Sequence, residues 1–423
     1  MHKKNIFLWS LYDFANSVVM MVFFLYFAQW LVVDRGVSDF WYNALFIFST
    51  ILLIATAPIV SVIADKSGKN FSFLKKNTII IWILFIVLSL ITLFIPDHLV
   101  LAMLVFVLGN FMYQLAFTFY TPLLNELAPP EKRGLVSGIG NAANWLGQIT
   151  GLVLVLPFAS GGIYLFGATG RAQTFLPATI VFILLSLPML LFYKKQQPTT
   201  EISVTLSHVK KEYINVWQET KSLFIIPSVS LFLISYFFFN DAILTASNNF
   251  PIVMERVFSA PDTTKTFLLI LILVTSVVGS IICGYLGDKF GLKRVLLWIL
   301  GGWIILFPLI GITQTIATLT VLVTIMGILF GGVWAVSRAL LSKLVPKEKL
   351  NHAFSFYTIA ERFASFLGPL VWSGMIVFIP SANNLNYRIA MVSMTVFIII
   401  GFFIMRKVKE NVDIHGLSTE IKI

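Results

Sequence analysis

The feature that most constrains this chain is a series of twelve mostly apolar runs, each near the length needed to cross a bilayer. They lie at roughly 6–31, 41–64, 77–95, 99–125, 135–157, 172–193, 224–249, 266–286, 295–313, 318–343, 352–378 and 388–405. A hydrocarbon core is crossed by about 20 such residues in a helix. Of the 423 residues, 58% are hydrophobic and 12% charged, against about 45–50% and about 25% in soluble domains. Because the apolar residues spread along the whole chain, the bilayer is the solvent for most of it. A soluble enzyme with a membrane tail is excluded. The first run has no small-residue cleavage site and reads as a retained span. The predicted fold class is an all-α integral membrane protein with twelve transmembrane helices.

Lys and Arg set the predicted orientation. Of the 30 basic residues, 23 fall in the segments on the side of the N-terminus, and five (Arg35, Arg171, Arg256, Lys265 and Arg388) fall on the other side. Positively charged short loops stay cytoplasmic, so both termini are predicted to be cytoplasmic. The net charge of +11 is spread over seven short segments. An anionic cytoplasmic leaflet accounts for it, and no nucleic-acid partner is needed. The longest such loop, 194–222, reads as a linker with a weakly amphipathic stretch around Val209–Trp217. It divides the chain into an N-terminal six-helix half (1–193), a C-terminal half (223–405) and a tail (406–423).

The two halves repeat. Span 2 runs into Ala64-Asp65-Lys66-Ser67-Gly68-Lys69, and span 8 into Gly287-Asp288-Lys289-Phe290-Gly291-Leu292-Lys293-Arg294. The loop after span 4 holds Leu127-Ala128-Pro129-Pro130-Glu131-Lys132, and that after span 10 holds Leu344-Val345-Pro346-Lys347-Glu348-Lys349. Two pseudo-symmetric six-helix halves are a known transporter plan, with the binding site between repeats near the midplane.

The duplicated Asp-Lys-x-Gly string, preceded in the second copy by Gly284, resembles the loop signature of the major facilitator superfamily. The first copy departs from it at Ser61, where glycine is expected. The resemblance implies the twelve-helix major facilitator fold, with Asp65 and Asp288 (beside Lys66 and Lys289) holding one access state. A narrower resemblance lies in Trp9-Ser10-Leu11-Tyr12-Asp13-Phe14-Ala15-Asn16-Ser17, which is similar to the opening of the vacuole-effluxer-like permeases. Asn240-Asp241 with Thr245, Ser337-Arg338 and Phe366-Leu367-Gly368-Pro369 also fit that family, whereas Ala242 stands where glycine is expected. Some eukaryotic relatives are linked to amino-acid export from vacuoles, so the resemblance names amino acids as a candidate substrate class.

Polar residues within the spans form stripes. Asp13, Asn16 and Ser17 lie at i, i+3 and i+4, on one helix face. Asp241, Thr245 and Asn248 share a face in span 7. Asn141, Asn144 and Gln148 do so in span 5, and Asn110, Gln114 and Thr118 in span 4. The interiors of spans 3, 6, 9 and 12 carry no charged or amide residue. Four stripes together predict a wet cavity; single amides can also join neighbouring helices, at about 0.6 kcal/mol each.

Ionisable residues within a span cost about 2.5–3.5 kcal/mol or more, so each needs a partner, water or a role. Asp13 and Asp241 are the substrate or proton-coupling candidates, with Asp241 favoured and Asn16, Gln114, Asn144, Thr245 and Asn248 beside them. A structural role, such as Asp13 bonded to span 7 or to Arg338, is the alternative. Glu361 and Arg362 are adjacent and diverge by about 100° around a helix. An Arg338–Glu361 gate or structural pair is therefore predicted ahead of Arg338 as a carboxylate-binding residue. Gly140, Gly147 and Gly151 fall on one face and read as a close helix contact. Gly368-Pro369 reads as a kink.

No phosphate-cradling Walker loop, zinc-binding His-Glu-x-x-His or nucleophile Gly-x-Ser-x-Gly is present, and no His lies within a span. With a single cysteine, Cys283, there is no disulfide or Cys/His metal site, and no cofactor is expected. The predicted function is a non-enzymatic, monomeric permease. It would move a small polar solute by alternating access, coupled to a proton or passively. A drug or metabolite exporter is the alternative within the class. A receptor or assembly factor on a permease frame is the rival outside it, and a lipid transferase would lack a cytoplasmic cluster of catalytic groups.

Overall fold

The computed structural model describes residues 3–66, 69–128, 133–167, 170–194, 226–345, 357 and 366–409. The candidates Glu361 and Arg362, and the side chains of Asp65 and Lys66, lie outside this description, as does the amphipathic stretch around Val209–Trp217. No strand occurs among the described residues. In chain order the helices are α1 (Lys3–Val22, continued by π-helical turns at Phe23–Phe27 and Trp30–Asp34), α2 (Asp39–Lys66), α3 (Asn70–Phe94), α4 (Leu99–Tyr120) and the short α5 (Leu123–Leu127). Next come α6 (Arg133–Ala159), α7 (Phe175–Phe192), α8 (Pro227–Phe258), α9 (Asp262–Phe290), α10 (Leu292–Ile312), α11 (Ile316–Leu344), α12 (Leu367–Phe378) and α13 (Leu385–Lys407). Among the described residues eleven helical stretches are long and apolar enough to span a membrane, and α12 is a shorter apolar helix.

Two elements outrun their apolar runs. Helix α8 continues to Phe258, through Pro251. Proline is tolerated in membrane helices because neighbouring groups take up the freed carbonyl. The first span reaches Asp34 by switching to π-helical turns, closed by Arg35 N–H donating to the Trp30 carbonyl at 3.0 Å. Such i→i+5 turns are rare, and an apolar count does not register them.

The chain forms two compact units. Unit 1 comprises Met1–Tyr213 with Pro261–Phe267, and unit 2 comprises Ile214–Ala260 with Leu268–Ile423. In unit 1, α1 is the most enclosed element: Tyr12, Val18, Val22, Leu25 and Phe27 are fully buried. Helix α6 lies against it along the glycine face. A Cβ at Gly151 would stand 2.5 Å from the Val18 carbonyl oxygen, and one at Gly140 would stand 2.5 Å from the Trp9 ring. At Gly147 it would strike the Phe14 carbonyl. These contacts bring two backbones together as small-residue packing does in membranes.

In unit 2, Gly279 of α9 and Gly327 and Gly331 of α11 form a similar seam, where added Cβ atoms would strike Ile328, Thr275 and Ser276. Helices α8 and α13 meet where Ser235 Oγ donates to the Gly401 carbonyl at 2.6 Å. Gly291, the last glycine of the second loop signature, turns α9 into α10 with φ +94°, a conformation only glycine adopts readily. Gly284, which opens that signature, has nothing within 4 Å of a Cβ, so among the described residues it marks no close helix approach. Outward-facing side chains such as Ile83, Leu90, Leu184, Ile281 and Phe403 are apolar and exposed, which suits a hydrocarbon solvent.

Candidate functional site

Among the described residues, Asp13 of unit 1 and Asp241 of unit 2 are carboxylates buried well inside a helix. In unit 1, Asp13 sits midway along α1, 7% exposed. Its Oδ1 accepts a hydrogen bond from Asn144 Nδ2 of α6 at 3.1 Å, and Asn144 Oδ1 accepts one from Gln148 Nε2 at 2.7 Å. The i, i+4 spacing of Asn144 and Gln148 forms this amide relay, and the glycine seam brings α6 close enough to reach Asp13. Asn16 is buried on the same face with Oδ1 unpartnered, and the buried hydroxyls of Ser10 and Ser17 on α1 are also unpartnered. Gln114 on α4 is half-buried, and Asn141 is exposed.

An aromatic group borders this carboxylate. Trp9 and Tyr120 stack with ring centroids 4.7 Å apart and planes within 1°. Tyr120 OH donates to the Trp9 carbonyl at 3.0 Å. Tyr12 stacks on Tyr120 at 5.5 Å, and its hydroxyl bonds Thr78 Oγ1 at 2.7 Å. Sequence reasoning did not single out these rings. Trp9 and Tyr12 share the motif with Asp13, but in a chain with 15% aromatic residues an aromatic side chain is not a discriminating signal.

In unit 2, Asp241 is wholly buried on α8. Its Oδ2 accepts the backbone N–H of Gly368 at 2.6 Å, in the first turn of α12. A carboxylate is favoured there because the free N–H groups of a helix start carry partial positive charge. The fit is close: a Cβ at Gly368 would stand 2.9 Å from Asp241 Oδ1 and would strike Thr245 Oγ1. Gly368 is thus a close approach between α8 and α12, and Gly368 and Pro369 form the first turn of α12. The buried Thr245 Oγ1 lies beside the same carboxylate. Asn249 Nδ2 donates to the Thr245 carbonyl at 2.9 Å, and Asn248 is half-buried. Next to Asp241, Asn240 Oδ1 accepts from Trp334 Nε1 of α11 at 3.0 Å.

Within unit 1, Asp13 meets Asn144 of α6. Arg338 is exposed on α11, and Asp288 and Lys289 are exposed at the end of α9. Lys289 lies over the Phe290 ring at 5.3 Å. No group of three or more metal-ligating His, Cys, Asp or Glu occurs among the described residues. Chemically, the Asp13 relay is a carboxylate that can take up a donor or a proton by exchanging soft side-chain partners. Asp241 is held by backbone.

The family profile described as vacuole effluxer Atg22 like matches residues 130–413. The chain belongs to that family. The Major Facilitator Superfamily profile matches residues 1–152. An uncharacterized MFS-type transporter, YxiO of Bacillus subtilis, is 27% identical over 95% of this chain and 94% of its own length. A multi-drug resistance efflux pump PmrA homolog of Lactococcus lactis is 25% identical over 94% and 93%. The crystal structure of a bacterial homolog to the human lysosomal transporter Spinster, inward-facing and unoccupied, superposes with a TM-score of 0.74 at 15% identity, over 96% of this chain and 98% of that one. At that identity the likeness shows the fold alone, which is the major facilitator fold. This family member is accordingly a multi-pass membrane transporter and not an enzyme.

Proposed function

We propose that this protein is a secondary transporter of a small polar solute, working by alternating access, with Asp13 as the carboxylate that meets the solute or its coupling proton. The observation that carries this reading is the Asp13–Asn144–Gln148 relay, which runs from the buried Asp13 to the half-buried Asn144 and Gln148 beside the Asn16, Ser10 and Ser17 oxygens that lack a partner among the described residues. Unsatisfied polar atoms at such depth are costly unless water or a ligand visits them. Asp13 can exchange partners because side-chain amides hold it. Asp241, given priority on sequence grounds, is bonded to the start of α12 and supports that helix. Amino acids fit the relay, which offers an acceptor to an ammonium group and amides to a carboxylate. The bias of Lys and Arg toward the N-terminal side supports a cytoplasmic position for both termini.

The test uses proteoliposomes with a trapped pH dye, challenged with pools of amino acids and other small metabolites. Proton movement that depends on one pool, and is lost in Asp13→Asn, is the expected result. An Asp13→Asn protein that transports with unchanged pH dependence would sink the assignment. Loss of coupling in a well-folded Asp241→Asn protein, with Asp13→Asn unaffected, would transfer the role to Asp241. Counterflow of labelled solute without proton movement would identify passive transport.

A further inference from the structure

The start of α1, the start of α3 and the end of α7 meet at one edge of unit 1. Asn5 Nδ2 donates to the Lys194 carbonyl at 2.8 Å, and Lys4 Nζ lies over the Phe192 ring, 5.4 Å from its centroid. Phe71 packs on Tyr193 with ring centroids 4.6 Å apart. Deeper along the same helices, Tyr12 OH bonds Thr78 Oγ1 at 2.7 Å and Trp82 Nε1 donates to Ser186 Oγ at 3.1 Å. Phe71, Lys75, Thr78 and Trp82 recur at i, i+4, i+7 and i+11, on one helix face. Lys75 therefore sits on the face of α3 that turns to α1 and α7. Five lysines converge at this edge: Lys3 and Lys4 on α1, Lys75 and Lys76 on α3, and Lys194 just after α7, all of them exposed.

Three features set this cluster apart from cations scattered over a surface. Among the described residues none of the five lysines is in an ion pair, so their charge is uncompensated there. All five stand where apolar runs begin or end, which is headgroup depth for a spanning helix. The exposed side chains next along the helices are apolar: Phe7 on α1, Ile79, Ile80 and Ile83 on α3, and Leu184 and Leu191 on α7. Positive charge at the polar edge with an apolar flank beneath it matches a ligand with an anionic head and acyl chains. A soluble anion uses only the first of these. At the corresponding end of unit 2 a lysine is engaged otherwise, with Lys293 Nζ donating to the Arg406 carbonyl at 2.8 Å.

We propose that Lys3, Lys4, Lys75, Lys76 and Lys194 form a binding site for the headgroup phosphate of an anionic phospholipid, whose acyl chains lie against the apolar flank of α3 and α7. Basic pockets between membrane helices bind such headgroups. Lysine ammonium groups on flexible stems meet a phosphate as point charges. A zwitterionic lipid carries its own cation and gains less. A bound headgroup bridges three helix ends that are far apart in the chain and holds them together. The proposed cytoplasmic position of the termini names only the leaflet that supplies the lipid. The site itself depends neither on that orientation nor on the transport assignment.

The test needs no solute, so its failure is distinct from failure of the transport assignment. A fluorophore is attached at Phe7→Cys, one turn from Lys4, in a Cys283→Ser background. The full chain, in nanodiscs of phosphatidylcholine, receives small fractions of spin-labelled phosphatidylglycerol or spin-labelled phosphatidylcholine. Phosphatidylglycerol should quench the fluorophore at a mole fraction about tenfold lower, since each lysine near an anionic headgroup contributes about a fivefold preference. Lys75→Gln with Lys76→Gln should cut that preference by about fivefold or more, and Lys75→Arg with Lys76→Arg should keep it. These side chains are exposed, so neither pair of changes disturbs packing. A fluorophore at Val100→Cys, exposed near the start of α4, should show no preference. Equal quenching by the two lipids at Phe7→Cys, or an undiminished preference in the Gln variant, would overturn the site. The same preference at Val100→Cys would also do so, by showing general enrichment of anionic lipid around the protein. Relief of the quenching by millimolar inorganic phosphate would overturn the lipid assignment in favour of a soluble anion.

Discussion

Replacing Asp241 tests most directly what a buried carboxylate does in this molecule. Asp241 Oδ2 takes the Gly368 N–H at 2.6 Å, at the start of a twelve-residue helix. A hydrogen bond to a charged group contributes about 1.5–3 kcal/mol, and a negative charge at a helix start adds about 0.3–1 kcal/mol. Asp241→Ala should therefore cost about 2–4 kcal/mol, as the Gly368 N–H loses its acceptor in a site closed to water. Asp241→Asn should cost much less, about 1 kcal/mol. Its carbonyl can still accept from Gly368, and its new amide can donate to Thr245 Oγ1, which lies beside it. The assay is thermal or denaturant unfolding of the purified protein in detergent, comparing the two variants with wild type. The predicted order is wild type, then Asn, then Ala. An Ala variant as stable as wild type would refute the capping role. So would an Asn variant as damaged as Ala, because that would show that charge alone matters. Gly368→Ala forces a Cβ into the same atoms, so combining it with Asp241→Ala should cost less than the sum of the singles.

Other substitutions probe the frame around the two carboxylates. Gly151→Ala puts a Cβ 2.5 Å from the Val18 carbonyl oxygen and should destabilise unit 1 by about 1–3 kcal/mol through overpacking, read as a lower unfolding midpoint; an unchanged midpoint would show that α6 can slide away from α1. Trp334→Phe removes the N–H that Asn240 Oδ1 accepts. With Asn240 Nδ2 already unpartnered, it should cost about 1–3 kcal/mol in the same assay, and pairing it with Asn240→Leu should recover part of that loss. Arg388 donates to the Gly311 and Thr313 carbonyls at 2.8 and 2.6 Å, at the C-terminal end of α10. Arg388→Met should increase amide exchange in the last turn of α10 and leave the α1–α6 pair unaffected. Asn144→Leu should impair transport as Asp13→Asn does, since it takes away the donor at 3.1 Å, whereas the exposed Asn141 should tolerate the same change.

What the sequence determined by itself follows from periodicity and from the cost of charge in hydrocarbon. Apolar run length placed the helices, and the i, i+3, i+4 spacing placed Asp13 with Asn16 and Asn144 with Gln148 on shared faces. The glycine face of α6 was legible because Gly140, Gly147 and Gly151 recur there at helical spacing. Partner identity was not legible. Asp13 meets Asn144 across 131 positions of chain, and Asp241 meets a backbone N–H 127 positions away. Both depend on how helices rotate and tilt against each other. A backbone donor, moreover, leaves no mark in the sequence, so the spacing of Asp241 with Thr245 reads equally as a solute face or as a helix contact. Lys265 and Arg171 read as loop charges because they flank apolar runs. In the structure Arg171 pairs with Asp34 and Asp262, and Lys265 is buried beside Asp262, contacts that hydropathy does not encode. Local physics thus selected the helices and the faces they carry, while the tertiary packing decided which buried charge is satisfied, and by what.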